Sequence, residues 1–385
     1  MILITQIEEM AVLEVQDLIK SGEPSIKLSH RPYFSIIIPC YNSGNTIGAL
    51  LQSIVEQHMS DDLEVILSDD HSTVPYDEAI KSFFDKLSIK MTETEYNFAP
   101  GNTREAGVKL AEGEWLCFAD HDDEFIPDTL KKIKATIEEY GEKYCAVANF
   151  LEVDPNTRKV LSEMKRTRNW NHAKFYNLDN LWKKYNIHFK KDLLTHEDIY
   201  ISSRVNCALK DANNDNPLYI DCFCYMWMAR PTTVSREKYG DYSFLETFFH
   251  DYLESTGYAY LDAYQNGEIP IYYATDAAIG VLILSYFYSE SFVFSDPVHY
   301  KRENFDYLRD YLIYCKEVLG LTNDYIWNYA AADHAEFYEK NRKQAAVSVG
   351  RFIPSKTFRQ WLDYLHHDIQ PRYAMSDVMW KEYKK

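Results

Sequence analysis

A chain of 385 residues, 46% hydrophobic and with a formal net charge of −18, is long enough for two domains of ordinary size. It is too acidic for general nucleic-acid binding, because phosphate backbones are held mainly by Lys and Arg. No run of about 18 uninterrupted apolar residues occurs, which argues against a transmembrane segment. The N-terminus, Met1-Ile-Leu-Ile followed by Glu8, Glu9 and Glu14, lacks the basic start and small-residue cleavage site of a signal peptide. Seven irregularly spaced cysteines fit reduced thiols and a cytoplasmic location. Cys222 and Cys224 form a C-x-C with no second Cys/His pair at zinc-finger spacing, so they are expected to be structural.

In chain order, residues 1–32 read as a helical lead-in ending at Pro32, with Ile7, Met10, Ala11, Val15, Leu18 and Ile19 near helical spacing. Phe34-Ser-Ile-Ile-Ile-Pro39 reads as a buried parallel strand. After the turn residues 42–45, Thr46 to Gln57 carries a helical stripe of Ile47, Leu50, Leu51, Ile54 and Val55. A second strand covers Leu63–Leu67, and a helix is expected over Tyr76–Leu87 and another over 102–111. Glu114–Ala119 is a third strand, Pro127 opens a further helix, and Tyr144–Ala148 is strand-like. This alternation predicts an α/β fold, a mostly parallel doubly wound sheet flanked by helices. From about 240 onward the pattern turns to long aromatic-rich helices such as Phe305–Leu319 and Tyr325–Lys343. Residues 238–385 are therefore expected to form a mainly helical C-terminal domain after a domain over 33–237.

Polar residues cluster just past the predicted strands, where open α/β sheets bind ligands. Asp120-His-Asp-Asp123 places carboxylates two residues apart, a spacing that suits Mg²⁺ or Mn²⁺ shared with a nucleotide diphosphate. Within Ser68-Asp-Asp-His-Ser72 a carboxylate can accept a hydrogen bond from a base N–H. Tyr41, in Pro39-Cys-Tyr-Asn42, can stack on a base, and Arg104 offers a two-pronged donor to base or phosphate. In Thr195-His-Glu-Asp198, Asp198 can take the proton of an attacking hydroxyl. Taken singly, these segments have plainer readings: a solvated acidic turn, a helix cap, a surface Arg. The cluster Lys165-Arg166-Thr167-Arg168 reads as a solvated face. A dinucleotide-binding oxidoreductase is disfavoured, since Pro39-Cys-Tyr-Asn-Ser-Gly44 lacks G-x-G-x-x-G.

Together the segments resemble glycosyltransferase family 2, the inverting transferases of GT-A fold that use nucleotide sugars. The resemblance runs through Ser35-Ile-Ile-Ile-Pro-Cys-Tyr-Asn42, Glu64-Val-Ile-Leu-Ser-Asp-Asp-His-Ser-Thr73, Thr103-Arg-Glu-Ala-Gly107 and Ala111 to Asp123. It continues through His172 to Phe189, Glu197-Asp198, and Tyr225 to Arg236, covering about 33–237. Glu105 and His71 depart from the family's usual Asn and Gly.

The resemblance implies roles. Tyr41 and Asp70 would hold the base, with the Pro39 main chain, Asn42 and Arg104 completing the donor site. Asp120 would contact the ribose or the metal, and Asp122 would ligate a divalent Mn²⁺ or Mg²⁺ bridging the phosphates. Asp198 would be the general base, Glu197 would orient a hydroxyl, and Trp170 and His172 would line the acceptor side. The partners implied are a nucleotide-sugar donor, with UDP as the carrier, and a glycan or other hydroxyl acceptor. The C-terminal domain lies outside the resemblance; its aromatic-rich helices are expected to serve the acceptor or homo-oligomer formation. The alternatives are a catalytically degenerate sugar-binding module, or a transferase acting on a non-glycan acceptor such as a modified DNA base.

Overall fold

The computed structural model describes residues 23–96, 99–168, 170–191, 193, 195–214, 216–230, 242–295, 298, 307–348, 354 and 356–367. Most of the expected lead-in helix (1–22), Asn97 and Phe98 of the loop before Arg104, and the expected boundary at 237/238 lie outside the described residues. Two compact units result, residues 1–239 and 240–385.

The first unit is built on β1 (Phe34–Cys40), whose Phe34, Ile36, Ile37 and Ile38 have no solvent exposure. Such a strand must be covered on both faces, as in parallel α/β sheets. It pairs in parallel with β2 (Leu63–Asp69) and β4 (Trp115–Phe118), and β2 pairs in parallel with β3 (Ser88–Glu93). Beyond β4 the sheet changes character. Its order is β3-β2-β1-β4-β8-β6-β9-β5, taking in β5 (Glu124–Phe125), β6 (Cys145–Val153), β8 (Lys174–Asn177) and β9 (Leu218–Met228), with β7 (Val160–Met164) on β6. Among these, β4–β8, β6–β8, β6–β7 and β5–β9 are antiparallel, while β6–β9 is parallel. The sheet is thus parallel in its N-terminal half and mixed after it.

Two expectations change beside β3. The described end of the lead-in, residues 23–32, is not helical. It runs beside β3, with the Ser25 N–H donating to the Ile89 carbonyl at 2.8 Å and Ser25 Oγ to that of Leu87 at 2.9 Å. The helix expected over 76–87 shrinks to Asp77–Ile80 and a short turn, because the chain then enters β3. That strand was not legible as one, since Lys90 interrupts it. In the fold Lys90 pairs with Glu64 at 2.9 Å and Glu112 at 2.8 Å.

Helices α1 (Ile47–Val55), α2 (Asp77–Ile80), α3 (Pro100–Val108), α4 (Thr129–Tyr140) and α5 (Glu197–Asp211) flank the sheet. α3 sits very close to it: a Cβ on Gly107 would lie 2.7 Å from Ile37 Cγ2. Any side chain there would push α3, and the Arg104 it carries, away from the strand ends.

The second unit is helical: α6 (Tyr242–Gln265), α7 (Ile271–Ser295), α8 (Tyr307–Leu319), α9 (Asn323–Ala332), α10 (Ala335–Ser348) and α11 (Phe358–His367). Many of its described aromatic residues, Tyr286, Tyr311, Phe358 and Trp361 among them, are buried and serve packing. The Tyr286 ring lies 5.3 Å from that of Phe358 and 5.6 Å from that of Trp361. The stretch expected over Tyr325–Lys343 divides into α9 and α10 at Asp333-His334, where His334 approaches Asp276 at 3.1 Å. Ile271–Ser291 of α7 is long and apolar enough to cross a membrane, with mean hydropathy 1.3, a property the search for uninterrupted apolar runs passed over. More than half of it is buried inside the protein, as in a core helix. All seven cysteines are free and buried, including Cys222 and Cys224.

Candidate active site

The carboxyl ends of β1, β2 and β4 bring the predicted donor residues together. Pro39 pairs with Ser68 but lies past the β4 register, which ends at Ile37–Phe118, so a residue without an N–H is tolerated there. Tyr41 follows with 42% of its surface exposed, leaving its ring available for stacking. Asp70 is buried, with its N–H donating to the Cys40 carbonyl at 2.7 Å and its Oδ1 accepting from Thr94 Oγ1 at 3.2 Å. Asn42 takes a different part from the one expected. Its Oδ1 accepts from the N–H groups of Thr73 and Val74, at 3.0 and 2.9 Å, and its own N–H donates to Ser72 Oγ. It staples the loops after β1 and β2.

Arg104 also departs from expectation. Its side chain is 7% exposed, and both prongs of the guanidinium are taken: Nη1 by Glu197 Oε1 at 2.7 Å and Nη2 by Asp120 Oδ1 at 2.6 Å. Burial alone would lower its proton affinity; Asp120 and Glu197 overcome this and hold it above the ordinary guanidinium value. The same contact, working against burial, keeps the Asp120 carboxyl below its ordinary value. Arg104 is therefore the brace that joins the end of β4 to the head of α5, with both Nη groups engaged and Nε without a hydrogen-bond partner among the described residues. Removing one member of such a buried cluster leaves the others uncompensated, at about 3–5 kcal/mol.

The acidic turn after β4 divides its labour. Asp123 is buried, and both its oxygens are in use: Oδ1 accepts from the Met228 N–H and Oδ2 from Tyr225 Oη, each at 2.8 Å. Burial, with Asp120 and Asp122 nearby, pushes its carboxyl well above the ordinary range. Asp122 is a quarter exposed and pairs with Arg230 at 2.8 Å. Ligand atoms of Asp120, Asp123 and His172 lie within 4.8 Å of one another. Burial pushes the His172 imidazole down to about 4, so the ring is neutral near pH 7. It stacks on Tyr225 at 5.2 Å and Trp227 at 6.1 Å, while Trp170, 39% exposed, stands edge-on to Phe150.

Asp198 occupies the first turn of α5, where the helix dipole favours a carboxylate. Burial, then its neighbour Glu197, push its carboxyl up to about 7, against the opposing pull of Lys174 and Arg104. Lys174 itself attracted no attention in the sequence beyond its place in the family-like segment. It is buried, its Nζ has no hydrogen-bond partner among the described residues, and burial pushes it down to about 8 against the attraction of Asp198. A lone Lys inside Ala173-Lys-Phe-Tyr176 was the signal for it. A carboxyl that titrates near neutrality is suited to accept a proton at physiological pH.

Residues 35–193 match the sequence profile of the family described as glycosyl transferase family 2. The poly(ribitol-phosphate) β-N-acetylglucosaminyltransferase TarS of Staphylococcus aureus is 38% identical over 109 residues, 28% of this chain and 19% of that protein. The poly(ribitol-phosphate) β-glucosyltransferase of Bacillus spizizenii is 36% identical over 92 residues, 23% of this chain and 14% of that protein. The matched stretch thus spans about a fifth of the length of the first of these relatives. Among solved structures, S. aureus TarS 1–349 in complex with UDP superposes with a TM-score of 0.56 at 23% identity, covering 84% of this chain and 94% of that one. The same protein in complex with UDP-GlcNAc gives 0.57 at 23% identity, covering 83% and 92%. At that identity the likeness establishes the GT-A fold and leaves activity to the site itself.

Proposed function

Starting from a chain whose residues 35–193 match glycosyl transferase family 2, we propose that this protein moves a sugar from a UDP-sugar to an acceptor hydroxyl by single displacement with inversion. One observation carries the reading: a carboxyl at about 7, Asp198, stands next to Glu197, which Arg104 ties to Asp120 at the donor end of the sheet. A general base is thereby held at a fixed position relative to the nucleotide site. The acceptor O–H gives its proton to Asp198 as its oxygen bonds to the sugar's C1. The bond from C1 to the diphosphate oxygen breaks, and the diphosphate leaves with the electron pair.

Tyr41 and Asp70 hold the base, and Pro39 shapes the strand end beneath it. Trp170 and the His172–Tyr225–Trp227 stack form the acceptor wall. A hard divalent cation, Mn²⁺ or Mg²⁺, would be held by Asp120 and, in exchange for its contact with Arg230, by Asp122, with neutral His172 adjacent to Asp120, whereas Asp123 is committed to Met228 and Tyr225. Such an ion would neutralise charge on the leaving diphosphate. The acceptor we favour is a glycopolymer. The test is a screen of UDP-sugars for metal-dependent thermal stabilisation, followed by NMR of the product's anomeric configuration. Inversion is expected; a retained configuration would remove single displacement.

A further inference from the structure

The proposed chemistry gives the helical unit no part, and one face of that unit is not explained by packing. Tyr286 and Tyr311 are buried there, whereas Tyr325 on α9 is 47% exposed and Tyr272 on α7 is 66% exposed. The Tyr325 ring stacks on that of Tyr329, one turn along α9, at 5.9 Å and 25°. Tyr329 thus covers one face of the Tyr325 ring and leaves the rest to solvent.

Beside this pair stands a carboxylate held in a fixed orientation. Asp276 Oδ1 accepts from Tyr329 Oη and from His334 Nε2, each at 3.1 Å. The same nitrogen lies 3.1 Å from the Asp276 carbonyl oxygen. With two acceptors in reach, Nε2 is the position that carries the proton. Burial, then Asp276 and Asp333, push the Tyr329 hydroxyl up to about 12, so it remains a donor. The second carboxylate oxygen, Oδ2, has no partner among the described residues, and the side chain is half exposed. Tyr272 lies one turn before Asp276 on the same face of α7.

These groups select the chemistry of a ligand. No Lys or Arg pairs with Asp276 among the described residues, and Asp333 adds a second negative charge, so an anion is repelled. A purely apolar partner, such as the packed face of a second copy, would strip water from Oδ2 and leave it unpaired, which is costly. A neutral sugar satisfies both parts: its C–H face lies against an aromatic ring, and its hydroxyls donate to a carboxylate oxygen.

We propose that Tyr325, Tyr329 and Asp276 form a glycan-binding subsite in the helical unit, in which the Tyr325 ring stacks on a neutral sugar and Asp276 Oδ2 accepts from its hydroxyls. The proposal rests on the transferase reading above and deepens it: the acceptor is a polymer of neutral sugars, gripped by the helical unit as well as at the transfer site.

The test uses the full chain, titrated by ligand-observed NMR with tetrasaccharides of glucose, galactose and galacturonic acid. At least one neutral tetrasaccharide should bind with a Kd of ~1 mM or tighter, and galacturonate should bind ~5-fold or more weakly than galactose. Tyr325→Ala should weaken neutral binding ~5-fold or more, the scale of one aromatic contact, and Tyr325→Phe should keep it. Asp276→Asn should weaken it too and erase the preference over galacturonate. UDP affinity should be the same in all four proteins, since these residues lie outside the donor site. No binding of either neutral tetrasaccharide at ~10 mM, or equal binding by wild type and Tyr325→Ala, overturns the subsite. Galacturonate bound as tightly as galactose by the wild type overturns the part given to Asp276. A Tyr325→Ala chain that sediments as a smaller species than wild type assigns the surface to a second copy and overturns the glycan. A wild-type chain that fails to bind UDP would remove the transferase reading instead, and the tetrasaccharide titrations would still decide the subsite.

Discussion

Asp198→Asn should separate catalysis from stability in opposite directions. The carboxyl stands at about 7 in the folded protein against an ordinary 3.8. A raised pKa means that the protonated form is favoured by folding. The contribution is therefore fully present below pH 4 and is lost as pH rises through about 7. A difference of this size corresponds to about 4 kcal/mol between the two protonation states. Water reaching the half-buried carboxyl and its coupling to Glu197 reduce the usable part to about 2 kcal/mol. Asn is nearly isosteric and carries no charge, so the variant should be more stable than wild type by about that amount at pH 8 and nearly equal to it at pH 4. It cannot take the acceptor's proton, so transfer should fall by ~10²-fold or more, with UDP affinity unchanged. The assays are thermal or urea unfolding at the two pH values and single-turnover transfer at saturating donor. The wild-type rate should rise with pH to a plateau above about 7, a limb absent from the variant's residual rate. A variant that transfers at close to the wild-type rate, or whose stability difference is the same at both pH values, would refute the reasoning.

Other outcomes follow from the same geometry. Lys174→Met should move the rising limb of the pH–rate profile to higher pH, because the Asp198 carboxylate loses a cation that favours it; a profile that stays in place separates Lys174 from the base. Asp122→Ala should abolish the Mn²⁺ dependence of UDP binding measured by calorimetry without unfolding the chain, since its side chain is a quarter exposed. Unaltered Mn²⁺ dependence would take Asp122 out of the metal site. Tyr41→Ala should raise KM for the donor with little change in kcat, the mark of binding that is equal in ground and transition states, and a kcat loss at constant KM would move Tyr41 elsewhere. Arg104→Met should destabilise the protein by about 3 kcal/mol or more, leaving Asp120 and Glu197 uncompensated, and an unfolding midpoint equal to wild type would show that the brace carries no load.

The sequence by itself determined three of the four strands of the parallel half of the sheet, β1, β2 and β4, and the convergence of their ends. Ile36–Ile38, Val65–Leu67 and Leu116–Phe118 are short apolar runs stopped by polar residues, and apolar runs of that length have few other uses. Tyr41, Asp70 and Asp120 were therefore legible as neighbours, and the acidic head of α5 was legible as a candidate base. Of the mixed half only the start of β6 was legible, because β8 has four residues and β9 runs bulged, with shifts of register against β6. Nor were the partners that decide each side chain's role. Arg104 meets Glu197 across 93 positions, Asp122 meets Arg230 across 108, and Tyr225 closes on Asp123 across 102. A carboxylate's availability depends on which donors reach it and how much water is excluded, and both are properties of the packed chain. Local spacing could place Asp122 and Asp123 side by side. Only the tertiary fold made one a structural acceptor for the β9 strand and left the other at the surface beside an arginine, because hydrogen bonds in a buried turn are settled by whatever distant strand folds over it.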